Sequence, residues 1–220
     1  MGGEFMSVEK IILRSLLSTL AAIALLLVLM VGSLVAFFPE TMMNVAYDMG
    51  MEKSSVWFAE RAYKRHDDID VIAFATTVAI EEDMYDKIIS CGEKMTEDEE
   101  FEEYCAARDL KNAETYGDEM LGDHKIVDIL GRYDQYIFAQ ISIAQYKKGD
   151  KDGAAERAKK NTVGFPRNNP IACLLLEADS EGDEDFKKYM ISIMRALSQE
   201  NWHEDDIQYY NEINSFLEAV

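Results

Sequence analysis

Two hydrophobic patterns divide the chain. Residues 15–38 read SLLSTLAAIALLLVLMVGSLVAFF, without a charge or a proline, so a helix there is apolar on every face. At about 1.5 Å per residue that helix is about 36 Å long, enough to cross a hydrocarbon layer of about 30 Å with some tilt. A soluble helix of this length shows a polar face, whereas here only Ser15, Ser18, Thr19 and Ser33 carry polar side-chain atoms. From Pro39 onward apolar positions recur at three and four between short breaks, and the prolines are confined to Pro39, Pro166 and Pro170. Phe186, Tyr189, Met190, Ile193, Met194 and Leu197, with Lys187, Lys188, Ser192 and Arg195 between them, make one apolar stripe and one wet face. The periodicity predicts helices over 42–49, 54–66, 69–80, 84–95, 97–116, 125–148, 153–161, 169–178, 183–198 and 204–219, and no strand pattern stands out. The expected fold class is all-α: one N-terminal transmembrane helix followed by a helical domain.

Local start signals refine this reading. Thr96 stands three residues before Glu99, the spacing at which a hydroxyl and a carboxylate satisfy each other's backbone amides at a helix start. The acids Glu97, Asp98, Glu99 and Glu100 fall where the positive end of such a helix accepts them. Asp150-Lys151-Asp152-Gly153 is similar to part of a calcium loop, but its glycine comes two residues early and Asn161 stands where the loop needs a glutamate. A tight turn accounts for it better.

The stretch 141–172, ISIAQYKKGDKDGAAERAKKNTVGFPRNNPIA, resembles a tetratricopeptide repeat. Tyr146 is placed to fill the groove between two helices, Gly149-Asp150 to turn the chain, and Ala154, Ala155 and Ala158 to let the second helix approach closely. The segment 166–170 ends that helix and starts the next. Ala-Glu-Arg-Ala occurs at Ala59 and again at Ala155, 96 residues on, close to three periods of about 34. The resemblance covers about one repeat well and extends over 57–95. It lapses over 97–131, where the helix is too long and Gly117, Gly122 and Gly131 interrupt it.

The resemblance implies a helical-hairpin (TPR-like) domain whose concave face binds a peptide or protein segment. Candidate partner-binding residues on that reading are Tyr133, Tyr136, Gln140, Tyr146, Arg157, Asn168 and Asn169. The whole architecture is similar to that of YfgM-type envelope proteins: a short cytoplasmic start, one span, and an acidic helical domain outside.

Charge narrows the partners. Lysine and arginine number 22 against 42 aspartates and glutamates, and the charges of residues 1–38 cancel, so the domain carries the whole net charge of −20. Phosphate backbones are repelled, which excludes nucleic acid as a partner and disfavours anionic lipid for the domain as a whole. A basic protein segment or divalent cations suit the acidity; so does plain solvation. Lys10 and Arg14 precede the span, whereas Glu40, Asp48 and Glu52 follow it before the first cation at Lys53. That asymmetry places the N-terminus in the cytoplasm and the domain outside the cell membrane. The expected organisation is 1–14 cytoplasmic (1–5 reading as an appended leader ahead of Met6), 15–38 spanning and 39–220 the acidic domain. A cleaved signal peptide ending near Val31-Gly32-Ser33 is the competing reading, but its apolar core runs about 7–15 residues, which favours an uncleaved anchor.

Chemistry is sparse. His66, His124 and His203 lack metal-ligand spacing, and no nucleophile, phosphate-loop or dinucleotide motif is present, so no catalytic residue, cofactor or metal is expected. Cys91, Cys105 and Cys173 have no CxxC spacing; Cys91 with Cys105 is the nearest pair for a disulfide, and buried free thiols are the other reading. The expected function is a membrane-anchored scaffold for protein–protein interaction in an envelope or secretion complex. The alternative is a structural subunit that docks into a multi-pass complex through its span.

Overall fold

The computed structural model describes residues 8–121 and 124–218; the leader at 1–5 and Ala219, the predicted end of the last helix, lie outside them. The fold is all-helical, with one long apolar helix leading into a helical domain. Helix α1 (Val8–Phe37) starts upstream of the predicted Ser15, because nothing in 8–14 interrupts a helix. Its apolar part, Ile12–Phe37, has 26 residues with a mean hydropathy of 2.8 and none of it is buried, so α1 is long and apolar enough to cross a membrane. The hydroxyls of Ser18 and Thr19 both donate to the Ser15 carbonyl at 2.9 Å, and that of Ser33 donates to Leu29 at 2.8 Å. These three hydroxyls find their acceptors within the helix, as an apolar surrounding demands. Pro39, which cannot continue a helix, turns the chain into α2 (Pro39–Asp48).

The domain continues with α3 (Glu52–His66), α4 (Ile69–Glu81), α5 (Tyr85–Glu97), α6 (Phe101–Tyr116), β1 (Met120–Leu121), β2 (His124–Lys125) and α7 (Ile126–Leu130). It ends with α8 (Tyr133–Lys147), α9 (Lys151–Asn161), α10 (Pro170–Ser180), α11 (Glu184–Arg195) and α12 (Glu204–Glu218). The pairs α2–α3, α4–α5, α8–α9 and α10–α11 share one device. Each is joined by three residues, and the middle one, Gly50, Asp83, Gly149 or Gly182, has φ of 66°, 51°, 88° or 68°. The amide of the third then reaches back five residues to close the helix: Met51 to Ala46 at 2.8 Å, Met84 to Ala79 at 2.9 Å, Asp150 to Gln145 at 3.0 Å and Asp183 to Ala178 at 2.9 Å.

These turns fall on a period of 33 residues, from 50 to 83 and from 149 to 182, with twice that interval between. Gly117, also at positive φ (49°), stands one residue past the missing third point. The Ala-Glu-Arg-Ala match at 96 residues is therefore three residues out of step with the structural repeat, since Gly50 and Gly149 are 99 apart. Both copies still bury their alanines, because three residues is close to one helical turn and preserves the face.

The third repeat is where the expected helices differ. Thr96 lies inside α5, its hydroxyl bonded to the Glu93 carbonyl at 3.0 Å, so it caps nothing. Asp98 instead breaks the chain and accepts from the Glu100 amide at 2.9 Å, and α6 starts at Phe101. The predicted helix 125–148 is two helices split at Gly131 (φ 62°), preceded by a two-residue antiparallel ladder, Met120 to Lys125 and Leu121 to His124. With no long second helix, this repeat leaves the stack: α8 packs directly against α5, and α6 lies against the side of α8.

Two large clusters fill most of the interior, with a small third one at Ala79, Ile88 and Ala144. One joins α2 to α5 with α6 and the first half of α8; the other joins the end of α8 to α9 through α12, around fully buried Phe165, Leu174, Leu175 and Met194. Helix α12 covers the far end, with Trp202 stacked on Phe165 at 5.4 Å and Tyr210 edge-on to it at 5.3 Å. The seam between α5 and α8 closes at Gly92, where an added Cβ would lie 2.7 Å from Cγ1 of fully buried Ile141. Helix propensity alone makes Gly92→Ala stabilising by up to about 1 kcal/mol. The lack of space predicts the opposite sign, a loss of about 1–3 kcal/mol in urea unfolding of the detergent-solubilised chain.

Candidate partner-binding face

The seven candidate residues separate into two groups. Four are engaged within the fold. Tyr146 is buried, stacks on Phe186 at 5.0 Å and donates its hydroxyl to Asp183 at 3.0 Å, joining α8 to the start of α11. Arg157 donates through Nε to Gln145 at 2.9 Å and pairs with Glu93, tying α9 to α5. Asn169 caps α10, accepting from the Ala172 amide at 2.9 Å and donating to the Pro166 carbonyl at 2.7 Å.

Asn168 is a latch. Its Nδ2 donates to the carbonyls of Leu130 at 2.8 Å and Arg132 at 2.6 Å, and its Oδ1 accepts from the Arg132 amide at 3.2 Å. These bonds hold the α7–α8 bend, and glycine is needed at 131 both for its φ and because a Cβ would lie 2.3 Å from the Asn168 Oδ1.

The other three, Tyr133, Tyr136 and Gln140, are half-buried along α8. Tyr133 and Tyr136 lie 6.0 Å apart, Tyr104 of α6 is 6.0 Å from Tyr133, and the Arg108 guanidinium sits 5.6 Å over the Tyr133 ring. Burial raises the pKa of the Tyr136 hydroxyl, helped by Tyr133, Glu81 and Cys173. Burial pushes Tyr104 up to about 12, with Tyr133 adding. Tyr146 is separate from this strip, about 20 Å along the α8 axis from Tyr133.

On another face of α8, a groove of about 600 Å³ opens at the α5–α6 turn. Asp98, Glu99, Glu102, Asp109 and Asp134 line it, against one cation, Arg132. Arg132 is already neutralised: its Nε and Nη2 meet the two Asp134 oxygens at 3.1 and 2.6 Å. Asp109 accepts from the Tyr133 amide at 2.9 Å, yet burial keeps its carboxyl above the usual range, with Asp134 adding. The groove is thus strongly negative with aromatic walls at Phe101 and Phe138, whose rings lie 5.8 Å apart. A second cleft, of about 830 Å³, lies across Arg132 between α7, the 163–167 loop and the start of α12. There Lys125 and Arg167 face Asp128, Asp205 and Asp206, and Arg167 is engaged by Glu212 at 2.9 Å and lies 4.9 Å over Tyr209.

Sequence reading missed Arg132, which borders both cavities; its only signal is its place after Gly131 and two residues before Asp134. Among the described residues no group of three or more His, Cys, Asp or Glu is arranged to hold a metal ion. Asp150 of the calcium-like segment caps α9, accepting from the Gly153 amide at 3.0 Å. No family model, curated protein or solved structure matches the chain, so the geometry alone informs its function.

The three cysteines are free thiols. Burial is the main cause that pushes Cys105 up to about 12, with Asp134 and Asp109 adding, and Cys91 and Cys173 up to about 11. The thiolate is the nucleophile, so at neutral pH native alkylation by iodoacetamide runs on the order of a hundredfold slower than in urea. It rises about tenfold per pH unit until the thiols titrate. For the latch, Asn168→Ala strands two carbonyls and an amide; the expected loss is about 1–3 kcal/mol, with faster hydrogen exchange confined to 130–133.

Proposed function

We propose that the chain is a single-pass membrane protein whose α1 anchors a TPR-like scaffold, and that the scaffold holds a basic segment of a partner protein in the acidic groove between the α5–α6 turn and α8. The observation that carries this reading is the groove itself: four carboxylates, Asp98, Glu99, Glu102 and Asp109, in excess of the Arg132–Asp134 pair, with aromatic walls at Phe101 and Phe138. Rows of equivalent helices that present such surfaces recognise extended or helical segments through a few aromatic anchors and a polar rim. The 33-residue recurrence of the hairpin turns supports the repeat reading. The unburied α1, with its hydroxyls bonded inside the helix, supports the anchor; Lys10 and Arg14 before the span, against Glu40, Asp48 and Glu52 after it, support a cytoplasmic N-terminus and a domain on the outer face of the cell membrane.

Crosslinking of the membrane-embedded chain, followed by pull-down, tests this. Glu99 and Glu102 are exposed, so Glu99→Lys with Glu102→Lys leaves the fold intact. It is expected to cut recovery of the partner about tenfold at low salt, with the difference shrinking as salt rises. Equal recovery from both forms, or loss of the partner only when residues 15–38 are exchanged for an unrelated span, removes the groove from the function. The second outcome points to docking through α1.

A further inference from the structure

Helix α3 is charged against the trend of the domain. Lys53, Arg61, Lys64 and Arg65 share it with Trp57, and at about 100° per residue all five fall within about a third of its circumference. All five are exposed. The helix's own Glu60 borders this face one turn before Lys64, but it is only 14% exposed and is taken up by α5, where it binds Lys87 at 2.5 Å and Lys94 at 3.2 Å. Many cations elsewhere bridge to carboxylates, as Lys147 does to Glu181 at 2.5 Å; among the described residues none of these four is paired with one. Cations in the last turn of a helix complement its dipole, which accounts for Lys64 and Arg65. It does not account for Arg61, which sits 4.7 Å over the ring of Trp57, itself 43% exposed.

The location supplies the reason. Arg65 Nη1 donates to the carbonyls of Ala36 at 2.9 Å and Phe37 at 3.4 Å, in the last turn of α1, and His66 lies 3.7 Å from Glu40. The C-terminal end of α3 is therefore fixed where the apolar helix stops. From Arg65 back to Trp57 is about 12 Å along the axis. The headgroup layer extends about 5–7 Å beyond the hydrocarbon and the surface potential decays over a further ~8–10 Å, so this stretch lies within reach at any tilt of α3.

Resting on the anchor reading above, we propose that the Trp57–Arg61–Lys64–Arg65 face of α3 docks on the phosphates of anionic phospholipids in the leaflet from which α1 emerges. Arg61, Lys64 and Arg65 supply the charge, and Trp57 sits at the interface, where an aromatic ring with a polar edge is favoured. The contact lays the first hairpin on the membrane and holds the acidic remainder away from it. Each cation contributes about fivefold to such a contact.

The test uses the full chain in lipid nanodiscs of phosphatidylcholine, with or without phosphatidylglycerol. Trp202→Phe leaves Trp57 as the sole tryptophan, and a headgroup spin label on the lipid reports its depth by quenching. Quenching is expected to rise with phosphatidylglycerol, to fall in high salt and to be lost in Arg61→Glu with Lys64→Glu, while Lys111→Glu on α6 changes nothing. Hydrogen exchange of amides 57–65 in the chain without the Trp202 change follows the same order and covers a fold perturbed by that substitution. Quenching and exchange that ignore both the lipid charge and the α3 reversals overturn the docking while leaving the anchor standing. A chain that fails to enter the nanodiscs at all overturns both.

Discussion

A single backbone constraint organises the domain: one residue per hairpin must sit at positive φ so that the amide after it can reach back five residues and close the helix. Three of the four positions are glycine, which adopts this conformation freely; the fourth is Asp83, among the few other residue types that tolerate it. Where the turn is kept, the two helices of a hairpin bury their apolar stripes against each other and against the next hairpin. At Gly117 the chain turns, but a two-residue ladder and the short α7 follow instead of a full second helix. That repeat cannot stack, and the groove and the larger cleft both open along its edges.

Charge is arranged by the same logic. Cations are drawn into bridges between neighbouring hairpins, such as Lys87 and Lys94 to Glu60, Lys147 to Glu177 and Arg157 to Glu93. The surplus of carboxylates is left on the outside. Net charge of −20 describes that outer surface as a whole and conceals a helix, α3, whose cations remain unbridged beside the end of α1.

Much of the fold was legible because its signals are local. The apolar run, the three-and-four periodicity of α11 and the Gly149-Asp150 turn with Pro170 beyond it each act within one or two helices. The break at Asp98 was not, since it depends on a distant partner, Tyr63, which donates to it at 2.8 Å; Gly131 was visible as an interruption, but the bend it makes is moulded to distant Asn168. The candidate site was legible in part. Tyrosines and asparagines look alike in sequence whether they face a partner or the interior, and only packing separates the half-buried Tyr133 and Tyr136 from Tyr146 and Asn168. The regular spacing of positive-φ residues could have been read from Gly50, Gly149 and Gly182, had Asp83 been recognised as their equivalent.

Stacked hairpins exchange contacts only with their neighbours, so such a domain comes apart unit by unit rather than all at once. The two ends of this one are unequal. Hairpin α2–α3 is clamped to α1 through Arg65, whereas α12 is held at the opposite end by rings gathered on Phe165. Melting should therefore travel inward from the C-terminal lid, and the segment beside the apolar helix should be the last to lose its shape.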